Sequence, residues 1–310
     1  MMSSDEPADR GRVFEGFAYQ EAFRRQQGLI TPDEQERLRQ SRIAIAGLGG
    51  VGGAHLLTLA RLGIGGFHIA DPDRFELANF NRQSGASVLT LGRSKAEVMA
   101  EMARAINPEL HLRVIADAIS AANVDELLEG VDILIDGVDF FTIETRRLIF
   151  REARRRGIWA ITAGPIGFST AWLVFDPASM SFDEYFDLRD EMAPLDQLIA
   201  FFVGLTPRAS QRTYMDFRKA DPRTGQGPSS GLACALCAGV AASEVVKILL
   251  KRGPIRSAPW HFQFDAYRQR LFRGRLLRGN RHPMQLLKRW IVRRQIIKLG
   301  WALPTPDKTE

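Results

Sequence analysis

The chain has 310 residues, 45% hydrophobic and 25% charged, the balance of a globular protein with room for one large domain or two. Two cysteines, Cys234 and Cys237, exclude a disulfide-rich secreted scaffold. No uninterrupted apolar run reads as a bilayer span, and the start MMSSDEPADRGRVFEG lacks the charged-then-apolar layout of a signal sequence, so a cytoplasmic protein without a transmembrane segment is expected. The net charge of +6 is uneven: the chain from Arg268 onward is strongly basic and the rest is nearer neutral.

Residues 1–22 form a polar N-terminal segment, with the first dozen expected to be disordered. Phe14 to Leu38 reads as helical apart from a break at Gly28 to Pro32, where Thr31-Pro32-Asp33-Glu34 signals a new helix: Thr31 as N-cap, Pro32 in the first turn, Glu34 at the third position. Arg42 to Ala46 is short, apolar and branched, as in a buried parallel strand. Gly47-Leu48-Gly49-Gly50-Val51-Gly52 follows, then a helical stretch from Ala54 to Leu62, then a second apolar run, Gly66 to Ala70, ending in Asp71. Strand, glycine turn, helix, strand and terminal acid make a dinucleotide-type βαβ unit, in which glycines admit a phosphate to the helix start and the acid can accept ribose hydroxyls. A glycine turn alone is weak evidence. A bare tight turn, or the turn of a nicotinamide oxidoreductase, has the same spacing, although no hydride-partner constellation is evident.

The loop Phe75 to Gln83 carries Asn79, Arg82 and Gln83, and Ser94 to Asn107 reads as a helix with Val98, Met102 and Ile106 four apart and Lys95 in its first turn. A lysine is electrostatically misplaced at a helix start unless an anion binds there. A strand at Leu110 to Ile115, a short helix at Val124 to Leu128 and a strand at Val131 to Asp136 lead into Gly137-Val138-Asp139, beside the first glycine turn if ligands gather at the carboxyl ends of the strands. Phe141 to Arg156 is a helix, Ile158 to Thr162 a strand, 163–167 a loop and Ser169 to Phe175 another strand. Residues 181–228 are rich in Asp, Arg, Phe and Tyr, and read equally as an acceptor pocket or as surface packing. Cys234-Ala235-Leu236-Cys237 lies among small apolar residues in a long helix. It is half of a zinc site at most, and reads as buried core, so no zinc is expected. The basic stretch at 284–299 does not separate into apolar and basic faces, which leaves RNA, an acidic membrane, dimer contacts and plain solvation open.

Asp71-x-Asp73, Asn79-x-x-Arg82-Gln83 and Lys95 together resemble the D-x-D…N-x-x-R-Q…K pattern of the ubiquitin-activating-enzyme-like superfamily, the ThiF, MoeB and HesA group that includes the sulfur-carrier adenylyltransferases. The resemblance spans Phe23 to Leu271, giving a predicted domain at 23–272 and a basic tail at 273–310. It implies an α/β fold, a Rossmann-like three-layer sandwich whose mostly parallel sheet is continued by antiparallel strands, with Pro259 to Leu271 as the closing strand. It also implies a homodimeric adenylyltransferase that uses ATP and Mg²⁺ on a carboxylate, typically the C-terminus of a small carrier protein or peptide. By the resemblance, Gly47, Gly49, Gly50, Gly52, Asp71, Asp73, Asn79 and Gln83 hold the nucleotide, Arg82 and Lys95 stabilise the phosphates, and Asp139 places Mg²⁺. Arg25, with Arg24 as the alternative, reaches the triphosphate of a second subunit. The chain departs from the family in three places. Phe140 replaces an asparagine, the paired zinc cysteines are missing, and 181–228 holds no loop cysteine for a thioester. Activation of a non-protein carboxylate, as in tRNA threonylcarbamoyladenosine dehydratases, and a nucleotide-binding pseudo-enzyme are the alternatives.

Overall fold

A computed structural model describes residues 16–216 and 227–298. Its centre is the strand β1 (Arg42–Ala46), where Ile43 and Ile45 face one side of the sheet and Ala44 and Ala46 the other, all fully buried. Burial on both faces is why the run is apolar throughout rather than alternating. The other strands are β2 (Gly66–Ala70), β3 (His111–Ile115), β4 (Ile133–Asp136), β5 (Trp159–Ile166), β6 (Ser169–Phe175), β7 (Trp260–Asp265) and β8 (Arg270–Arg275). They form one eight-stranded sheet in the order β3-β2-β1-β4-β5-β6-β7-β8. The first five pair in parallel, and β5–β6, β6–β7 and β7–β8 are antiparallel.

One layer consists of α2 (Pro32–Gln40), α3 (Gly50–Arg61), α4 (Lys95–Ile106) and α9 (Gly231–Leu250), packed over Ile43, Ile45, Phe67, Ile69 and Ile135. The opposite layer consists of α5 (Val124–Leu128), α6 (Ile143–Arg155), α7 (Phe182–Phe186) and α8 (Pro194–Leu205), packed over Ala44, Ala46 and Leu134. The expected three-layer α/β sandwich is the observed one. Its last helix, α10 (Pro283–Lys298), lies on α8. A cleft lined by Glu36, Arg39, Arg42, Asn107 and His111 opens at the amino ends of the strands and holds none of the predicted site residues.

Three expectations are corrected. The stretch to Leu38 is helical only over α1 (Tyr19–Ala22) and α2, with a 3-10 turn at Arg24–Gln26 between them, although Thr31 and Glu34 do form the predicted reciprocal cap. Residues 163–166 are not loop but the end of β5, pulled straight by pairing with β6. The single closing strand is a hairpin, β7 and β8, turned at Ala266 to Gln269. Among the described residues, α9 is long and apolar enough to cross a membrane by length and composition. Its Cys237, Ala241, Val245 and Leu249 stripe is built into the core over the sheet, the place of a core helix. The predicted disordered start at residues 1–12 and the last part of the basic tail, from 299, lie outside the described residues.

Two buried histidines make the fold sensitive to acid. His55 in α3 is wholly buried with neither ring nitrogen hydrogen-bonded, and burial pushes its pKa down to about 4. His261 in β7 is held at about 4 by burial, then by the charges of Arg208 and Lys288. Both protonate in the unfolded chain near pH 6.5 but resist it in the fold, so their contribution is complete above pH 6.5 and falls as pH drops toward 4. Lowering the pH from 7 to 5 is expected to reduce unfolding free energy by about 1–2 kcal/mol per histidine. Urea titrations at the two pH values measure this, and His55→Leu should remove its own share, about 1–2 kcal/mol, of the pH dependence.

Candidate functional site

The parallel strands all end at one edge, and there β1 runs into the glycine turn. Gly47 has φ +86, and a Cβ on it would stand 2.2 Å from the carbonyl oxygen of Gly137, so two turns after neighbouring strands are in backbone contact. A Cβ on Gly52 would stand 1.7 Å from the Gly47 carbonyl oxygen, which only glycine avoids. The helix begins earlier than the sequence suggested, at Gly50 with Gly49 as its cap. Gly53 N–H makes the first bond back to Gly49, which leaves the N–H groups of Gly50, Val51 and Gly52 as the open donors of the first turn. No side chain caps that end. Three open donors and the helix dipole favour an anion there.

Asp71, at the end of β2, is 5% exposed and ties this turn to the next loop. Its Oδ2 accepts the Leu48 N–H at 2.6 Å and its Oδ1 the Asp73 N–H at 2.9 Å. Burial raises its pKa against the pull of these two bonds. Asp73 in turn receives the Lys95 ammonium at 2.8 Å, with Lys95 itself buried at the start of α4. That ammonium has three protons, so it can hold Asp73 and still donate to a phosphate.

Loop 75–83 supplies the next groups. Asn79 is buried and braces the loop, its Oδ1 accepting the Glu76 N–H at 3.0 Å. Arg82 donates from Nη1 to Ala78 O and Asn81 Oδ1, and its Cγ lies 3.4 Å from where a Gly50 Cβ would be. Gln83 is 7% exposed, with Nε2 near Gly49 and Oε1 left without a partner, a buried polar atom beside the glycine turn. Asn81 ties the same loop to Ser229, just before α9, by a 3.0 Å bond.

On the other side, Asp136 ends β4 fully inside the fold. It receives Arg146 Nε at 2.8 Å and Thr162 Oγ1 at 2.7 Å. Arg146 also donates to the carbonyls of Val138, Asp139 and Phe140, and its guanidinium lies over the Phe201 ring at 4.5 Å. It thereby fixes the turn that carries Asp139. The Asp139 carboxylate is exposed and commits only Oδ1, to the Phe141 N–H at 2.9 Å. Sequence reading missed Arg146. An arginine one helical turn into the helix after an acid-ended strand was the available signal.

Of the predicted residues, the structure gathers Gly47, Gly49, Gly50, Gly52, Asp71, Asp73, Arg82, Gln83 and Lys95 at one edge, with Asp139 on the adjoining turn and Asn79 behind as a brace. Arg25 is not among them. It is exposed in the 3-10 turn before Leu29, whose carbonyl accepts Arg252 just past the far end of α9. A 20-residue helix is about 30 Å long, so Arg25 stands far from its own glycine turn. The cysteines are buried, Cys234 against Gly50 and Cys237 beside Thr170, whose hydroxyl lies 3.2 Å from its sulfur. Burial raises both thiols, Cys234 to about 11, so both stay protonated at neutral pH.

The chain is 40% identical over 143 residues to the tRNA threonylcarbamoyladenosine dehydratase of Haemophilus influenzae, covering 46% of this chain and 54% of that protein. It is 27% identical over 240 residues to a probable adenylyltransferase/sulfurtransferase, MoeZ, of Mycobacterium tuberculosis, covering 74% of this chain and 54% of that one. The chain thus spans about half the length of these relatives. Its fold is similar to the crystal structure of Escherichia coli MccB with MccA-N7isoASN, with TM-score 0.63, 18% identity and coverage of 87% of this chain and 75% of that one. The sequence profile of the ThiF family matches residues 23–286, most of the chain, and the protein belongs to that family.

Proposed function

We propose that the protein adenylates a carboxylate with ATP. The observation that carries this reading is the convergence of Arg82, Gln83 and the Asp139 turn on the uncapped helix start at Gly50. A carboxylate oxygen attacks the α-phosphorus, a new O–P bond forms, the bond to the β-phosphate oxygen breaks, and pyrophosphate leaves. No enzyme nucleophile is needed, and the work is positioning and charge neutralisation. Open N–H groups at Gly50 to Gly52 and the Gln83 amide receive the phosphates, Asp71 the ribose, and Arg82 and Lys95 the charge moving onto pyrophosphate. Mg²⁺ fits as an ion brought in with the nucleotide. Asp139 has a free oxygen, and magnesium needs only one or two carboxylates plus phosphate oxygens. When bound it would neutralise phosphate charge. Among the described residues no ready-made group of three or more metal-ligating side chains exists. Arg25 serves the site of a second copy, so the reading includes a homodimer.

Two acceptors follow from the relatives, the C-terminal carboxylate of a small carrier protein or peptide and a carboxylate carried on tRNA. The second is favoured by the 40% identity to the dehydratase over 143 residues. Incorporation of labelled pyrophosphate into ATP, run with a glycine-ended carrier peptide and separately with tRNA, tests the reading. Exchange is expected with one of them and is expected to vanish in Asp139→Ala. No exchange with either acceptor, or full exchange in the variant, overturns it.

A further inference from the structure

The edge of the sheet that carries the glycine turn also carries a feature the adenylation reading leaves unused. The β5–β6 turn presents Phe168, the β7–β8 turn presents Tyr267, and the segment after α8 brings Tyr214 between them. Ring centroids are 5.7 Å apart for Phe168–Tyr214, 5.7 Å for Phe168–Tyr267 and 5.0 Å for Tyr214–Tyr267. Tyr214 is anchored, its hydroxyl accepting the Phe168 N–H at 3.2 Å and donating to Asp265 at 3.4 Å. The other two face water, Phe168 being 41% exposed and Tyr267 67%. Exposed rings held in register are not what a solvated turn requires.

Beside the rings lies a cluster of cations. Arg208 and Arg212 stand exposed on the turn 207–213. Lys288 reaches the same turn from α10, its Nζ 2.7 Å from Pro207 O. Arg268 reaches it from the β7–β8 turn, 3.3 Å from the carbonyl and hydroxyl oxygens of Ser210. None of the four is in an ion pair with a carboxylate among the described residues. The acid in contact with this turn is the buried Asp265, which is taken up by Ser210, Tyr214 and the Arg268 N–H. Asp216, four residues beyond Arg212, has a partner of its own. Burial, then the charges of Arg208 and Arg212, lower the pKa of Lys288, and Arg208 and Lys288 act the same way on His261. Among the described residues, like charges are thus assembled with no carboxylate paired to them. The patch connects to the glycine turn: Gly167 abuts the Tyr214 ring, Ser230 donates to Gly167 O at 3.1 Å, and Ser229 holds Asn81 next to Arg82.

We propose that this face binds a single-stranded nucleic acid, with one base stacked on Phe168 and Tyr267 and its phosphates on Arg208, Arg212, Arg268 and Lys288. Stacked rings beside unneutralised cations are the two parts of single-strand recognition: rings take any base by its face, and cations track the backbone. An acidic peptide would use the cations and leave the rings idle. The inference rests on the adenylation reading in one respect, that the strand delivers its carboxylate to the neighbouring nucleotide turn.

The test is fluorescence anisotropy of a labelled 12-nucleotide single-stranded RNA with the full chain, across a salt series, with ATP affinity measured in parallel by calorimetry. Tyr267→Ala is expected to weaken RNA binding about 5- to 100-fold without changing the salt slope. Arg208→Ala/Arg212→Ala is expected to weaken it and reduce the slope of log affinity against log salt by about 1.4. Both variants should bind ATP like the parent. Three results would each overturn the inference: no RNA binding by the parent at low salt, binding unchanged in both variants, or equal binding of an alternating Asp-Glu peptide that ignores Tyr267→Ala. Intact ATP binding alongside any of these would leave adenylation standing. Lost ATP binding in the parent would sink adenylation while the RNA result stood by itself.

Discussion

Arg82→Ala is expected to lower ATP–pyrophosphate exchange by about 100- to 1,000-fold, the usual effect of removing one preorganised donor from developing negative charge. The fold should survive. Arg82 is half-exposed, and its two bonds, to Ala78 O and Asn81 Oδ1, are local to its own loop. What is lost is the guanidinium beside Gly50, where the leaving pyrophosphate would gather charge in the proposed adenylation. Arg82→Lys keeps a positive charge but not the planar fork, and should recover only part of the rate. The decisive comparison is exchange rate against urea midpoint. Lost exchange with an unchanged midpoint assigns Arg82 to chemistry, whereas a midpoint that falls in step makes it structural. Full exchange in Arg82→Ala refutes the role outright.

Arg146→Met is expected to have the largest effect on stability, about 3–5 kcal/mol, because it strands a buried carboxylate. Asp136 and Arg146 have side chains 3% exposed and pair at 2.8 Å. Removing the arginine leaves Asp136 with the Thr162 hydroxyl and the Val138 N–H but no countercharge. It also frees three carbonyls that fix the Asp139 turn. Asp136→Asn on top of Arg146→Met should restore part of the loss, since the uncompensated charge is gone. Urea unfolding of both single variants and the double one reads the coupling directly. A double variant no more stable than Arg146→Met would show that the carbonyl bonds, not the charge, carry the effect.

The nucleotide half was legible because its signals are local. β1 and β2 are apolar runs at the predicted bounds, and the glycines sit where backbone meets backbone. The antiparallel half was less so. Gly164 and Pro165 read as turn residues, yet both lie in β5. Parallel pairing with β4 stops at Thr162, so Pro165 needs no N–H on that side, and β6 alone holds it extended. The β7–β8 turn has no glycine, asparagine or proline to mark it, and Gln269 takes the left-handed conformation at φ +53 instead. By the resemblance Asn79 holds the nucleotide, and its side-chain oxygen also closes a cap on Glu76, two roles that spacing does not tell apart. Arg146 stayed hidden because its four partners lie on a strand end and a turn that meet it only once the sheet has formed.

The change from parallel to antiparallel pairing after β5 has a consequence for how such a fold can diversify. Both hairpin turns of the second half, at 167–168 and 266–269, emerge on the same rim as the glycine turn, yet neither belongs to the strands that build it. Lengthening or trimming these two tips would alter what is presented to the activated phosphate while leaving β1, β2 and β4 undisturbed. Under the proposed adenylation, substrate choice and nucleotide handling can therefore drift at separate evolutionary rates within one continuous sheet.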